Sequence, residues 1–178
     1  MRNLIFILFL FPFIVNASQW FSNGEPIPDQ DNKKSKNGFG ALLQMTTNSQ
    51  QALAAWSKPT HGVWIQEAQK VEKGKPIEAL VFFFGCMPNK GGKCISEIDF
   101  KIIKPDGTVY VEYKNAELWK NKPPLPKGQL GLAVDRAGMI ADPEDPLGVY
   151  KVVCKVRDLV RKVELELISE FEVIKANK

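Results

Sequence analysis

Histidine is almost missing from the 178 residues, with His61 the only one. Nucleophilic catalysis needs a base within hydrogen-bond reach, and zinc sites are built mainly from His and Cys, so neither chemistry has its usual parts. His61 itself sits in the turn-like Pro59-Thr60-His61-Gly62. No glycine-rich stretch matches a phosphate-binding loop. Beyond the N-terminus no apolar run approaches the ~18 residues of a membrane-spanning helix. An excess of one charge is lacking too: the formal net charge is +4, and the lysines are scattered through Glu-rich stretches as on a solvated surface. These absences lead us to expect no enzyme, no metal, no cofactor and no nucleic-acid partner.

What is present begins with Arg2, an apolar run from Leu4 to Val15, and the small-residue pattern Val15-Asn16-Ala17. That is the layout of a signal peptide over residues 1–17, cleaved after Ala17. A retained anchor is the alternative, but Leu4 to Val15 reaches only about 18 Å as a helix, against about 30 Å of hydrocarbon. No Cys follows the run, so a lipoprotein anchor is not available. The expectation is export to the periplasm or beyond, with no membrane span after processing.

Export makes a disulfide plausible, and three cysteines leave one thiol over. Cys86 and Cys94 flank Met87-Pro88-Asn89-Lys90-Gly91-Gly92-Lys93, whose turn residues can bring the ends together. The alternative joins Cys86 to Cys154, imitating the inter-sheet bridge of antibody domains.

Residues 18–37 are polar and turn-rich and read as a flexible leader. The domain proper is expected over 38–178. Phe39 to Thr47 alternates as an opening strand, and Asn48 stands where it could cap a short helix from Ser49 to Trp56, ended by Pro59. Val63, Ile65, Ala68 and Val71 mark a weaker strand. Ile77 to Phe84 is apolar on both faces, as a covered central strand should be. Ile98, Phe100 and Ile102 alternate with charged residues, and Pro105-Asp106-Gly107 turns the chain into Thr108 to Tyr113, a hairpin. Asn115 to Gly128 reads as a proline-stiffened loop, and Leu130, Leu132 and Val134 as another strand. Tyr150, Val152, Cys154 and Val156, then Val163, Leu165, Leu167, Ser169, Phe171 and Val173, keep a strict period of two and predict a terminal hairpin. Cys154 then faces inward, as a buried thiol.

The pattern as a whole predicts an all-β, immunoglobulin-like antiparallel sandwich with one short helix near the N-terminus. Asp145, Gly148 and Tyr150 resemble a tyrosine corner, in which the phenol bonds a nearby backbone group. Asp142, Glu144 and Asp145, set between Pro143 and Pro146, read as a polar turn.

Lys73-Gly74-Lys75-Pro76, Gly85-Cys86 with Cys94, Pro105-Asp106-Gly107, Asp145 to Tyr150 and Val163-Glu164-Leu165-Glu166 carry a resemblance. From Phe39 to Val173 the chain resembles uncharacterised exported immunoglobulin-like sandwich proteins of Gram-negative bacteria. The resemblance implies a periplasmic or secreted setting and brings no activity or ligand.

The function expected is a non-catalytic binding module that contacts another cell-envelope protein. The alternative is an inhibitor or immunity protein against an exported toxin or hydrolase. Trp119, with Lys120, Lys122 and Lys127, is the candidate interface, because a rigid aromatic among cations suits a protein partner. An open sheet edge is the other route.

Overall fold

The computed structural model describes residues 19–22, 24–58 and 65–176. The expected signal peptide, His61 and Val63 lie outside them. The protein is an all-β sandwich of immunoglobulin-like architecture with one short helix.

In chain order the strands are β1 (Trp20–Ser22), β2 (Glu25–Ile27), β3 (Lys33–Lys36), β4 (Phe39–Thr46), β5 (Lys70–Glu72), β6 (Pro76–Phe84) and β7 (Ile95–Ile103). After them come β8 (Val109–Lys120), β9 (Gly131–Leu132), β10 (Ala137–Ile140), β11 (Gly148–Asp158) and β12 (Val163–Ile174). The helix α1 (Ser49–Trp56) follows β4. β1 and β2 pair as a two-stranded sheet; of the two larger sheets, one runs β10-β6-β4-β3, with β9 also pairing β6, and the other runs β5-β12-β11-β7-β8. All pairs are antiparallel except β5 with β12.

The strict alternation of the C-terminal third produces an unbroken register from Gly148↔Val173 to Asp158↔Val163. Tyr150, Val152, Cys154 and Val156 are buried on it, facing Phe39, Ala41, Leu43 and Met45 of the opposite sheet within one core. The double-sided apolarity of β6 has a simple cause. Ile77, Ala79, Val81 and Phe83 enter that main core, while Leu80 and Phe82 turn outward into a second cluster with Ala52 and Leu132. Trp56 lies on Phe82 at 5.1 Å between ring centroids, so α1 is the lid that lets a strand be apolar on both faces.

Five expectations need correction. The leader over 18–37 is not a structureless tether: it holds β1, β2 and β3, and Ile168 donates its N–H to the Asp31 carbonyl. It showed no apolar period because β3 is an edge strand, where lysines protect the open side. Asn48 makes no side-chain cap; its own N–H donates to Thr46 Oγ1. Asn115 to Lys120 is not loop but the second half of β8, whose three irregularities of register against β7 break the alternation. The strand expected from Leu130 to Val134 shrinks to the two residues of β9, and within the described residues 65–72 the weak strand expected from Ile65, Ala68 and Val71 is confined to the three residues of β5. β10, unmarked in the sequence, is a further strand.

Candidate functional site

The cysteine loop is closed as expected, by a disulfide between Cys86 and Cys94 with Cα atoms 5.9 Å apart. A loop this short gains about 2–3 kcal/mol from the bond by the chain-entropy account. Cys154 is free and fully buried, and desolvation pushes its thiol far above the ordinary value. An un-ionised thiol without solvent contact is inert, so Cys154 serves as a small core side chain.

At the other end of the sandwich, Tyr150 Oη donates to the Pro146 carbonyl at 3.0 Å, and its ring stacks on Phe171. Gly148 opens β11 just before it. Asp145 accepts from Lys104 Nζ at 2.7 Å and from the Asp142 N–H, and the Lys104 ammonium holds the Asp145 carboxyl below its usual range. The corner-like arrangement therefore ties the β7–β8 turn to the connection that precedes β11. Burial, with the Asp145 charge second, pushes the Tyr150 phenol up to about 12.

Unfolded tyrosine ionises near 10, so the unfolded chain releases this proton first. The stabilisation is complete below about pH 10 and drains away as pH rises toward 12. Tyr150→Phe should cost about 1 kcal/mol at pH 7, by leaving the Pro146 carbonyl unpaired. It should also lose less stability than the parent on going further alkaline. Urea midpoints at pH 7, 9 and 11.5 measure both, and an equally steep alkaline loss in the variant would refute the assignment.

The Trp119 group behaves differently from an open interface. Trp119 packs on Phe83 at 5.6 Å between centroids and donates its Nε1–H to the Pro123 carbonyl. Lys122 lies over that ring and pairs with Glu117, and Lys120 pairs with Glu97 at 2.8 Å. The Lys122 ammonium also holds Glu117 below its usual range. Only Lys127 of the four is an exposed side chain. Three of these residues spend their polar groups within the chain, sealing the end of the sandwich beneath them.

The open surface lies on a flank instead. β8 and β10 are the edges of the two sheets on the same side, and between them runs a groove of about 750 Å³. Ile77 and Met139 line it from one sheet, Tyr110, Val111 and Tyr113 from the other, and Val134 from the crossing chain. A recess of about 400 Å³ continues it along β8 to Phe100 and Ala116. Val111 and Tyr113 stand opposite the inward-facing Ile102 and Phe100, so they point at the core side, yet Tyr113 is 49% exposed because no strand covers it. Val134 and Ile140 are likewise 43% and 50% exposed.

The groove is stitched at both ends. Tyr110 Oη donates to the Ile140 carbonyl at 3.2 Å. At the far end the Val134 and Asp135 N–H groups donate to the Leu118 and Glu117 carbonyls, and the Glu117 N–H donates back to Asp135 Oδ2. The rim carries the Arg136 to Glu78 pair at 3.6 Å, and Glu112 pairs with Lys101 and Lys114. Sequence reading missed this site because pattern shows which residues alternate but not which strand ends a sheet. The one available signal was the apolar Val109, Val111 and Tyr113 in a strand whose second half loses its period.

The opposite flank, where β3 and β5 are the sheet edges, is crossed by main-chain bonds. The Asp31 carbonyl takes the Ile168 N–H, β5 covers residues 172–174 of β12, and Ala68 donates its N–H to the Met45 carbonyl.

Among the described residues there is no group of three His, Cys, Asp or Glu side chains placed to hold a metal ion. No helix among them is long and apolar enough to cross a membrane.

No family model matches the chain, and no curated protein matches it. Solved structures that align with it include a CARDB domain from Pyrococcus furiosus in complex with di-metal ions, at 13% identity and TM-score 0.38, covering 80% of this chain and 100% of that one. A family 123 glycoside hydrolase from Clostridium perfringens aligns at 10% identity and TM-score 0.40, over 79% of this chain and 28% of that one. The alkylpurine DNA glycosylase AlkC of Pseudomonas fluorescens aligns at 16% identity and TM-score 0.37, over 60% of this chain and 27% of that one. The chain thus spans little more than a quarter of the length of either enzyme, and at these scores none of the three bears on what it does.

Proposed function

We propose that the chain is a non-catalytic binding module of the bacterial periplasm that captures an extended segment of another envelope protein along the groove between β8 and β10. The observation that supports this reading is the contrast between the two flanks of the sandwich. One is crossed by main-chain bonds and bordered by the lysines of the β3 edge; the other presents apolar side chains along its free edge. An added strand would meet the free edge of β8 with its backbone and set alternate side chains into the groove, so affinity comes from the ladder and specificity from the recesses.

The test replaces two exposed groove residues in one variant, Tyr113→Arg with Ile140→Lys, which leaves the core untouched. Capture of specific proteins from an envelope extract should fall on the order of tenfold relative to the parent, as for loss of central anchors. Undiminished capture by a variant with unchanged thermal midpoint would dispose of the groove as the binding surface.

A further inference from the structure

The two ends of the sandwich differ in charge. At one end the β7–β8 turn, the chain from Ala141 to Leu147 and the turn at Lys73 to Lys75 mix Asp106, Asp142, Glu144 and Asp145 with three lysines. At the other, four segments come together: Lys36 to Gly38, the disulfide loop from Met87 to Lys93, Asn121 with Lys122, and Leu159 to Lys162. Arg161 binds the first to the last, donating from Nη1 to the Asn37 carbonyl and from Nη2 to the Gly85 carbonyl. Met87 donates its N–H to Asp158, Leu159 donates to the Ile95 carbonyl, and Cys94 donates to the Lys122 carbonyl.

These four segments contain no acidic residue. Their cations are Lys36, Lys90, Lys93, Lys122, Arg161 and Lys162, and of these Lys36, Lys90, Lys93 and Lys162 are exposed and make no ion pair among the described residues. Two large apolar side chains stand among them, Met87 and Leu159, each 42% exposed.

Residues 19 and 20 also pack near this end. Gln19 donates its N–H to Ser35 Oγ, beside Lys36, and Trp20 meets Phe84 edge-on at 5.0 Å.

We infer that the basic end is a docking surface for a lipid bilayer with anionic headgroups. Unpaired lysines answer the surface potential of such a leaflet, and the methionine and leucine tips fit its boundary between headgroup and acyl chain. The β8–β10 groove lies along the side of the sandwich, so a domain seated on its basic end keeps the groove free. The inference stands on its own observations and does not depend on the groove having a partner.

The experiment is co-sedimentation of the processed chain, lacking residues 1–17, with phosphatidylcholine vesicles and with vesicles containing about a third phosphatidylglycerol. Binding is expected to the anionic vesicles only, and to fall steeply between low salt and about 0.3 M, where the screening length shortens below 10 Å. A cation near such a leaflet strengthens binding by about fivefold, so Lys90→Gln, Lys93→Gln and Lys162→Gln together should weaken it on the order of a hundredfold. Met87→Asp with Leu159→Asp should weaken it too, at unchanged thermal midpoint. Equal binding to both vesicle types, no salt dependence in the unaltered chain, or binding to polyglutamate without binding to anionic vesicles would each overturn the proposal.

Discussion

Asp158→Ala should destabilise the protein by about 3–4 kcal/mol, more than any substitution of an exposed residue. The carboxylate is completely buried and accepts three backbone N–H groups: Met87 at 2.7 Å on one oxygen, Val160 at 3.1 Å and Arg161 at 3.0 Å on the other. The Arg161 guanidinium stands 3.7 Å away. Bonds to a charged acceptor contribute about 1.5–3 kcal/mol each, and the sum is discounted because water can reach the Met87 backbone once the acceptor is gone. The β11–β12 turn and the disulfide loop are both organised by this one side chain. Asp158→Asn keeps a single acceptor oxygen and should cost roughly half as much. Urea unfolding of both variants provides the measurement; a loss below about 1 kcal/mol in the alanine variant would show that the carboxylate is not what holds the two turns together.

Gly85→Ala is expected to cost above about 3 kcal/mol, by a different mechanism. Gly85 has φ of +74°, and a Cβ there would fall 1.8 Å from the Gly38 carbonyl oxygen. Left-handed backbone alone penalises alanine by about 1–2 kcal/mol. The clash adds the rest, because Arg161 grips the Asn37 and Gly85 carbonyls and neither strand end can retreat. Gly107 is the internal control: its φ is +84°, but nothing lies within 4 Å of its virtual Cβ. Gly107→Ala should therefore show the conformational cost alone. Equal thermal shifts for the two variants would mean that backbone strain, and not the close approach to Gly38, decides the position.

Much of the sandwich was legible because burial writes a period into the chain. Tyr150 to Val156 and Val163 to Val173 alternate without interruption, and their pairing follows residue by residue. The helix from Ser49 to Trp56 was legible from Ala52, Leu53 and Trp56 on one face, and its packing accounts for Leu80 and Phe82 on the far side of β6. The disulfide was legible from turn chemistry between Cys86 and Cys94.

Edge strands were not. β3 carries lysines because one of its sides meets water, β10 is four residues long with a glycine inside, and β8 slips its register three times. Each removes the alternation that a reader of sequence relies on, and two of these strands border the groove. The Trp119 group illustrates the same limit from the other direction: an aromatic among lysines looks like a contact surface until Glu97, Glu117 and the Pro123 carbonyl are seen to use those side chains. The candidate site was thus the part least visible beforehand, since a free edge is a property of neighbours.

The parallel pairing of β5 with β12 joins residues 70–72 to residues 172–174, and β12 also lies across from β4. Contacts so distant along the chain cannot form until nearly all of it is available, and topologies of this kind fold slowly. During synthesis, N-terminus first, the early strands must wait uncovered until β12 has emerged. The final hairpin, the most regular piece of the molecule, therefore acts as the closing step of assembly, and a chain cut short before it would leave both sheets without their shared interior.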